Sequence, residues 1–269
     1  MTFVDELRAV LPRHAEVLAV LVAAVADDDR WRWLELGCSV AAGRGDERSD
    51  LDLGLGAAGP DDPEAAAALV RSLGPVIDLL VHELPGRPGH VRIAAELASG
   101  IQLDLVVLPA DGRPGLPPGS VALVDKDGTL ADGWTPDAIG TPPAAQLREW
   151  AFLGWWALSD AVKYLDRGSP FEAADRVAEA RRLALQLHAA AQEVDYPAFG
   201  LTSILDADEP AIPMWLEETY SAAERDELRH AAHSAARLLR DATTALELRF
   251  GLDVDVPLRT TVQSRLGPA

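Results

Sequence analysis

At 269 residues, with 48% hydrophobic and 25% charged residues, the chain has the composition of one large or two ordinary globular domains, which excludes a disordered chain. Its formal net charge of -19 repels nucleic-acid backbones, so no nucleic-acid partner is expected; it either attracts a cationic small molecule or serves only to keep the protein in solution. The single cysteine, Cys38, excludes an intrachain disulfide and a cysteine-rich zinc site. With no apolar run of about 18 residues and no signal-peptide layout, a soluble cytoplasmic protein without a membrane partner is expected.

Leu7, Val10, Leu11, Leu18, Leu21, Val22 and Val25 recur at helical spacing, which predicts an amphipathic helix over 5–25, kinked or restarted at Pro12. The acidic cluster 27–29 interrupts it. Residues 31–36 then read as a strand running into Gly37, with a short helical turn after Ser39, a turn-rich stretch at Gly43-Arg44-Gly45-Asp46, and a second strand over 50–55. An alanine-rich helix is predicted over 62–73, a buried strand over 76–82 and a turn at 85–89. Strands 91–95 and 101–108 form a hairpin through Ser99-Gly100, and 121–124 adds a short strand before a connector marked by Asp127-Gly128, Pro136, Pro142 and Pro143.

Beyond Ala144 strand signals nearly vanish. Helical periodicity marks 144–166, 171–192, a shorter piece near 213–219, and 222–249, with Gly168-Ser169-Pro170 separating the first two. The chain therefore reads as α+β in two domains, 1–140 with a sheet and flanking helices, and 141–269 as an all-α helical bundle.

Side chains alternate along a strand, so Asp50 and Asp52 point one way while Leu51, Leu53 and Leu55 point into the core. Magnesium takes oxygen ligands and commonly joins one or two carboxylates to substrate phosphates, which is the chemistry such a pair supports. Ahead of the pair, Gly37 permits close backbone approach, and the Ser39 hydroxyl with nearby backbone amides forms a small anion nest. On a later strand Asp104 shares a face with Gln102 and Val106, opposite the core-facing Leu103, Leu105 and Val107. A lone carboxylate there calls for a metal or cation beside it, unless it is a solvent-facing residue on an edge strand.

The stretch Leu36-Gly37-Cys38-Ser39 through Ser49-Asp50-Leu51-Asp52-Leu53 resembles the signature of DNA polymerase beta-like nucleotidyltransferases, and is similar to the aminoglycoside and lincosamide branch above all. That resemblance implies a catalytic domain with a small mixed β-sheet, followed by a helical domain. It implies that Ser39 contacts a triphosphate, that Asp50 and Asp52 bind Mg2+, and that Asp104 is the third carboxylate, as metal ligand or as general base. Lys163 resembles the basic residue that reaches a nucleotide phosphate from the helical domain; its other reading is an exposed lysine paired with Asp160. Cys38 departs from the pattern by standing where the family has Gly or Ser, a change expected to be tolerated.

Glu149, Trp156 and Lys163 recur every seven residues along one face of the first bundle helix, and Trp150, Phe152, Trp155 and Trp156 read as core. His230 and His233, three apart without an evident third ligand, do not predict zinc. Arg44 and Arg48 either neutralise phosphate charge or pair with Asp46 and Glu47. The expected function is an adenylyltransferase with ATP as donor and two Mg2+ ions, one organising the triphosphate and one lowering the pKa of the acceptor hydroxyl, acting on a small, cationic acceptor such as an antibiotic in a cleft between the halves. The alternative is a regulatory or toxin-antitoxin module that keeps the fold without small-molecule turnover, or an enzyme acting on protein or RNA.

Overall fold

The computed structural model describes residues 2–59, 63–83, 89–112, 115–131, 142–207 and 209–267. Two compact units divide the chain, Met1–Thr135 and Pro136–Ala269. The join expected between 140 and 141, Pro136, and all but Gly89 of the turn at 85–89 lie outside the described residues.

In the first unit the leading helical pattern is two helices, α1 (Phe3–Leu7) and α2 (Pro12–Asp27), because Pro12 has no N–H to continue the first and sits at the start of the second. Thr2 and Asp5 close a capping box on α1. There follow β1 (Trp31–Leu36), the single turn α3 (Cys38–Ala41), β2 (Leu51–Ala57), α4 (Pro63–Ser72), β3 (Val76–Glu83), β4 (Val91–Leu97), β5 (Gln102–Pro109) and β6 (Val121–Asp125). The sheet runs in the order β3-β4-β5-β2-β1-β6. Among the described residues only β2 and β5 pair in parallel, so the sheet is mixed.

One face of this sheet supplies Leu34, Leu36, Leu51, Leu53, Leu55, Leu103 and Leu105 to a core shared with α1, α2 and α4. The opposite face carries only a small cluster around Trp33, Leu108 and Leu130. Alternation thus divides each strand between a packed side and a side left for chemistry. The strand at 76–82 corrects the expectation of burial: β3 is one of the two sheet edges, β6 being the other, and none of its residues is fully buried. Val76, Leu79 and Val81 lean on the core, whereas Ile77 and Leu80 are 68% and 60% exposed.

The second unit is all-α. Helices α5 (Ala144–Asp166), α6 (Pro170–Ala191) and α8 (Arg225–Phe250) share one apolar core, joined by α7 (Leu201–Asp206) and α9 (Leu258–Leu266). A Cβ at Gly154 would sit 2.6 Å from Leu239 Cδ2, so this glycine lets α5 approach α8 closely. The piece expected at 213–219 is one 3-10 turn, Glu217–Thr219, and the sequence reading did not anticipate α7 or α9. Trp150 and Trp155 are buried as expected, but Phe152 and Trp156 are exposed, with ring centroids 5.7 Å apart. No described helix is long and apolar enough to cross a membrane.

Candidate active site

β2 and β5 lie side by side with Asp52 in register with Asp104, which brings two of the expected carboxylates to adjacent strands on the open face. Asp50 precedes β2 by one residue and is exposed. The start of α3 is tied to the same place, because the Gly37 N–H donates to the Asp52 carbonyl at 2.8 Å. Gly37 itself is in ordinary extended conformation, φ -117°, and a Cβ there would meet Ser120 Oγ at 3.5 Å, so the backbone alone does not demand glycine. The strained residue is its neighbour: Cys38 takes φ 54°, in the left-handed region. Ser39, in the α3 turn, is half-buried.

Asp52 is half-buried, and desolvation pushes its carboxyl above the usual carboxylate range. The charge of Asp50 adds to this, and that of Asp104 contributes less. A hydrogen bond from the Cys38 side chain and the positive charge of Arg92 act in the opposite direction. Cys38 therefore has a local task beside Asp52, as a weak donor to its carboxylate.

Asp104 meets the expectation of a cation beside it and not that of an edge-strand position. It lies on an interior strand, and its counter-cation is Arg92 of β4. Arg92 Nε donates to Asp104 Oδ1 at 2.7 Å and its Nη2 donates to Oδ2, a two-pronged pair. The register explains the reach: Ala94 stands opposite Asp104, and Arg92 opposite Val106, so the long side chain leans diagonally across a small neighbour. Asp104 in turn holds the guanidinium protonated beyond the ordinary arginine range. Among the described residues no group of three or more His, Cys, Asp or Glu is gathered so as to hold a metal ion.

A surface cavity of about 360 Å³ opens over this face, and Asp50, Asp78, Arg92, Glu96, Gln102 and Asp104 are among its lining residues. Asp78 faces Glu96 across the β3–β4 ladder, so like charges sit directly opposite each other. Deeper in the sheet, Glu35 and Trp33 of β1 lie across Gly54 and Gly56, where any Cβ would strike the Glu35 carboxylate or the Trp33 indole. These two glycines let large side chains lie flat on the sheet beside the site.

The approach to Asp50 is held from α2. His14 is buried and its Nε2 lies 2.8 Å from the Ser49 carbonyl; since a carbonyl only accepts, Nε2 carries the proton. Arg13 donates to the carbonyls of Ser99 and Glu47 at 3.1 and 3.4 Å. Within the loop, Asp46 Oδ1 accepts from the Arg48 N–H and the Ser49 hydroxyl donates to that carboxylate. Sequence reasoning missed His14, Arg92, Glu35, Asp78 and Glu96. Glu35, Arg92 and Glu96 carried a signal, as charged residues among apolar ones inside strands.

Lys163 belongs to the helical unit, where its Nζ pairs with Asp160 at 2.5 Å and lies over the Tyr164 ring. His230 sits 4.0 Å from Glu218, and burial with neighbouring Arg237 and Arg229 depresses His233 below the ordinary histidine range.

No protein-family model and no curated protein sequence matches this chain. Among solved structures it is similar to an aminoglycoside 6-adenyltransferase from Bacillus subtilis, over 92% of this chain and 94% of that one, at 16% identity and a TM-score of 0.41. It is also similar to a nucleotidyltransferase-like protein from Exiguobacterium sibiricum, over 93% and 86%, at 10% identity and a TM-score of 0.38. Likenesses this loose set no chemistry for the chain, which rests on its own residues.

Proposed function

We propose that this protein is a magnesium-dependent nucleotidyltransferase that moves a nucleoside monophosphate, AMP from ATP, to a hydroxyl of a small cationic acceptor. The observation that carries the reading is the register of β2 and β5, which sets Asp52 beside Asp104 on the open face next to the Gly37-Cys38-Ser39 turn. Asp50 and Asp52 fit a divalent cation: they repel one another, and Asp52 is shifted upward by that repulsion and by desolvation. When bound, the cation supplies charge neutralisation for the triphosphate and for the leaving pyrophosphate. Ser39 donates its hydroxyl to a phosphate oxygen. Asp78 and Glu96 line the cavity with negative charge that attracts an amino-bearing acceptor and orients its hydroxyl. That oxygen attacks the α-phosphorus and gives its proton to water, its bond forms as the α–β phosphoanhydride bond breaks, and pyrophosphate leaves.

Pyrophosphate release from ATP and Mg2+, assayed with aminoglycosides, with lincosamides and without acceptor, tests this. Release is expected to require one acceptor and to fall by about two orders of magnitude or more in Asp50→Asn. A second reading is favoured by the Arg92–Asp104 bridge, which occupies both oxygens of the third carboxylate. It is a module that binds nucleotide through the metal without turnover, and ATP binding without release for any acceptor would select it.

A further inference from the structure

The bridge on β4 and β5 bears on how many cations the site takes. Asp52 and Asp104 stand in register on the open face, Asp50 comes just ahead of β2, and Arg92 reaches across from β4 to Asp104. The guanidinium is therefore the positive charge of Asp104, the residue that stands beside Asp52 in the β2–β5 ladder. Its pairing with Asp104 uses two parallel donors, the strongest geometry open to an arginine and a carboxylate. It is also built in by the sheet register, with Ala94 leaving the space Arg92 crosses. A second divalent cation ligated by Asp104 would have to displace a guanidinium that cannot lose its charge.

We propose that this chain takes one divalent cation, on Asp50 and Asp52, and that Arg92 is the fixed counter-charge of Asp104 where a second cation would otherwise bind. The inference rests on the metal-dependent reading above. Arg92 is thus a positioning residue: it holds Asp104 and supplies positive charge on the acceptor side, independent of metal concentration. The acceptor hydroxyl is then not activated by a metal of its own.

The test counts Mn2+ on the full chain with a non-hydrolysable ATP analogue, by calorimetry and by electron paramagnetic resonance at about 0.15 M salt, where loose surface binding is screened. Two manganese ions about 3.5 to 4 Å apart give a dipolar-coupled signal, and one does not. The wild type is expected to bind one Mn2+ with an uncoupled signal, Asp104→Asn to bind one as well, and Asp52→Asn to lose it. Arg92→Gln is expected to gain a second, coupled ion, and the double variant Arg92→Gln/Asp104→Asn to return to one. Two coupled ions in the wild type, with one lost in Asp104→Asn, overturn the proposal and leave the transferase reading standing. A folded Arg92→Gln that still binds a single ion also overturns it. No Mn2+ on the wild type, with the analogue present, removes the metal-dependent reading itself. The wild-type and Asp104→Asn counts decide the matter even if Arg92→Gln does not fold.

Discussion

Asp52 binds its proton more tightly in the folded protein than in the unfolded chain, because burial and Asp50 oppose its charge. Between the ordinary carboxylate value of 3.8 and the raised one, the native state holds the extra proton, so stability falls as pH rises through that window. The cost is fully present at pH 7 and absent below about pH 3. Asp52→Asn is therefore expected to raise the metal-free melting temperature at pH 7, by at most about 1 kcal/mol for a half-buried group screened by solvent, with no gain at pH 3. Thermal unfolding at the two pH values checks it, and an equal gain at both would mean that Asp52 is not the source. Magnesium should reverse the order, since only the wild type gains from binding. At Cys38 the left-handed backbone sets a different expectation: Cys38→Gly holds stability level or raises it by up to about 1 kcal/mol, whereas branched Cys38→Val loses about 1 to 2 kcal/mol. Denaturant titration of both variants tests that ordering.

Among the elements, the loop between α3 and β2 is where local order governs the site, and His14 is its clamp. His14→Ala removes the donor to the Ser49 carbonyl and leaves a hole in a buried position, so a loss of about 1 to 3 kcal/mol is expected. Because Asp50 follows Ser49 directly, metal affinity should fall as well, measured by Mg2+ titration of the folded variant. An unchanged affinity would show that Asp50 is positioned without the clamp.

Strands β1, β2 and β5 were legible because alternation alone assigns Leu51, Leu53, Leu103 and Leu105 to one side and Asp52 and Asp104 to the other. The long helices were legible from their apolar stripes, and the restart at Pro12 from proline chemistry. β3 was misjudged because an apolar run of strand length does not reveal whether a neighbour covers both of its faces. Helix α9 buries only Val262 and Leu266, too few to print a stripe. The Arg92–Asp104 pairing depends on strand register, which is a long-range property, and no local window contains it.

At the scale of the whole molecule, the proposed cationic acceptor would be drawn by the charge of -19 together with the acidic lining of the cavity. Raising salt from about 0.02 to 0.5 M shortens the screening length several-fold, so the KM for such an acceptor should rise while that of a neutral one holds nearly steady. A KM indifferent to salt would remove electrostatic attraction from the account of acceptor choice. The edge strand has a consequence of another kind. Among the described residues no strand pairs with the outer side of β3, which carries exposed Ile77 and Leu80, a surface to which a further strand can add. Mutual repulsion between copies guards this edge at neutral pH, and it fades as the solution approaches the isoelectric point near 4.6. Purification and storage buffers should therefore stay well above that value, since acidification removes the repulsion that keeps the sheets of separate copies from pairing edge to edge.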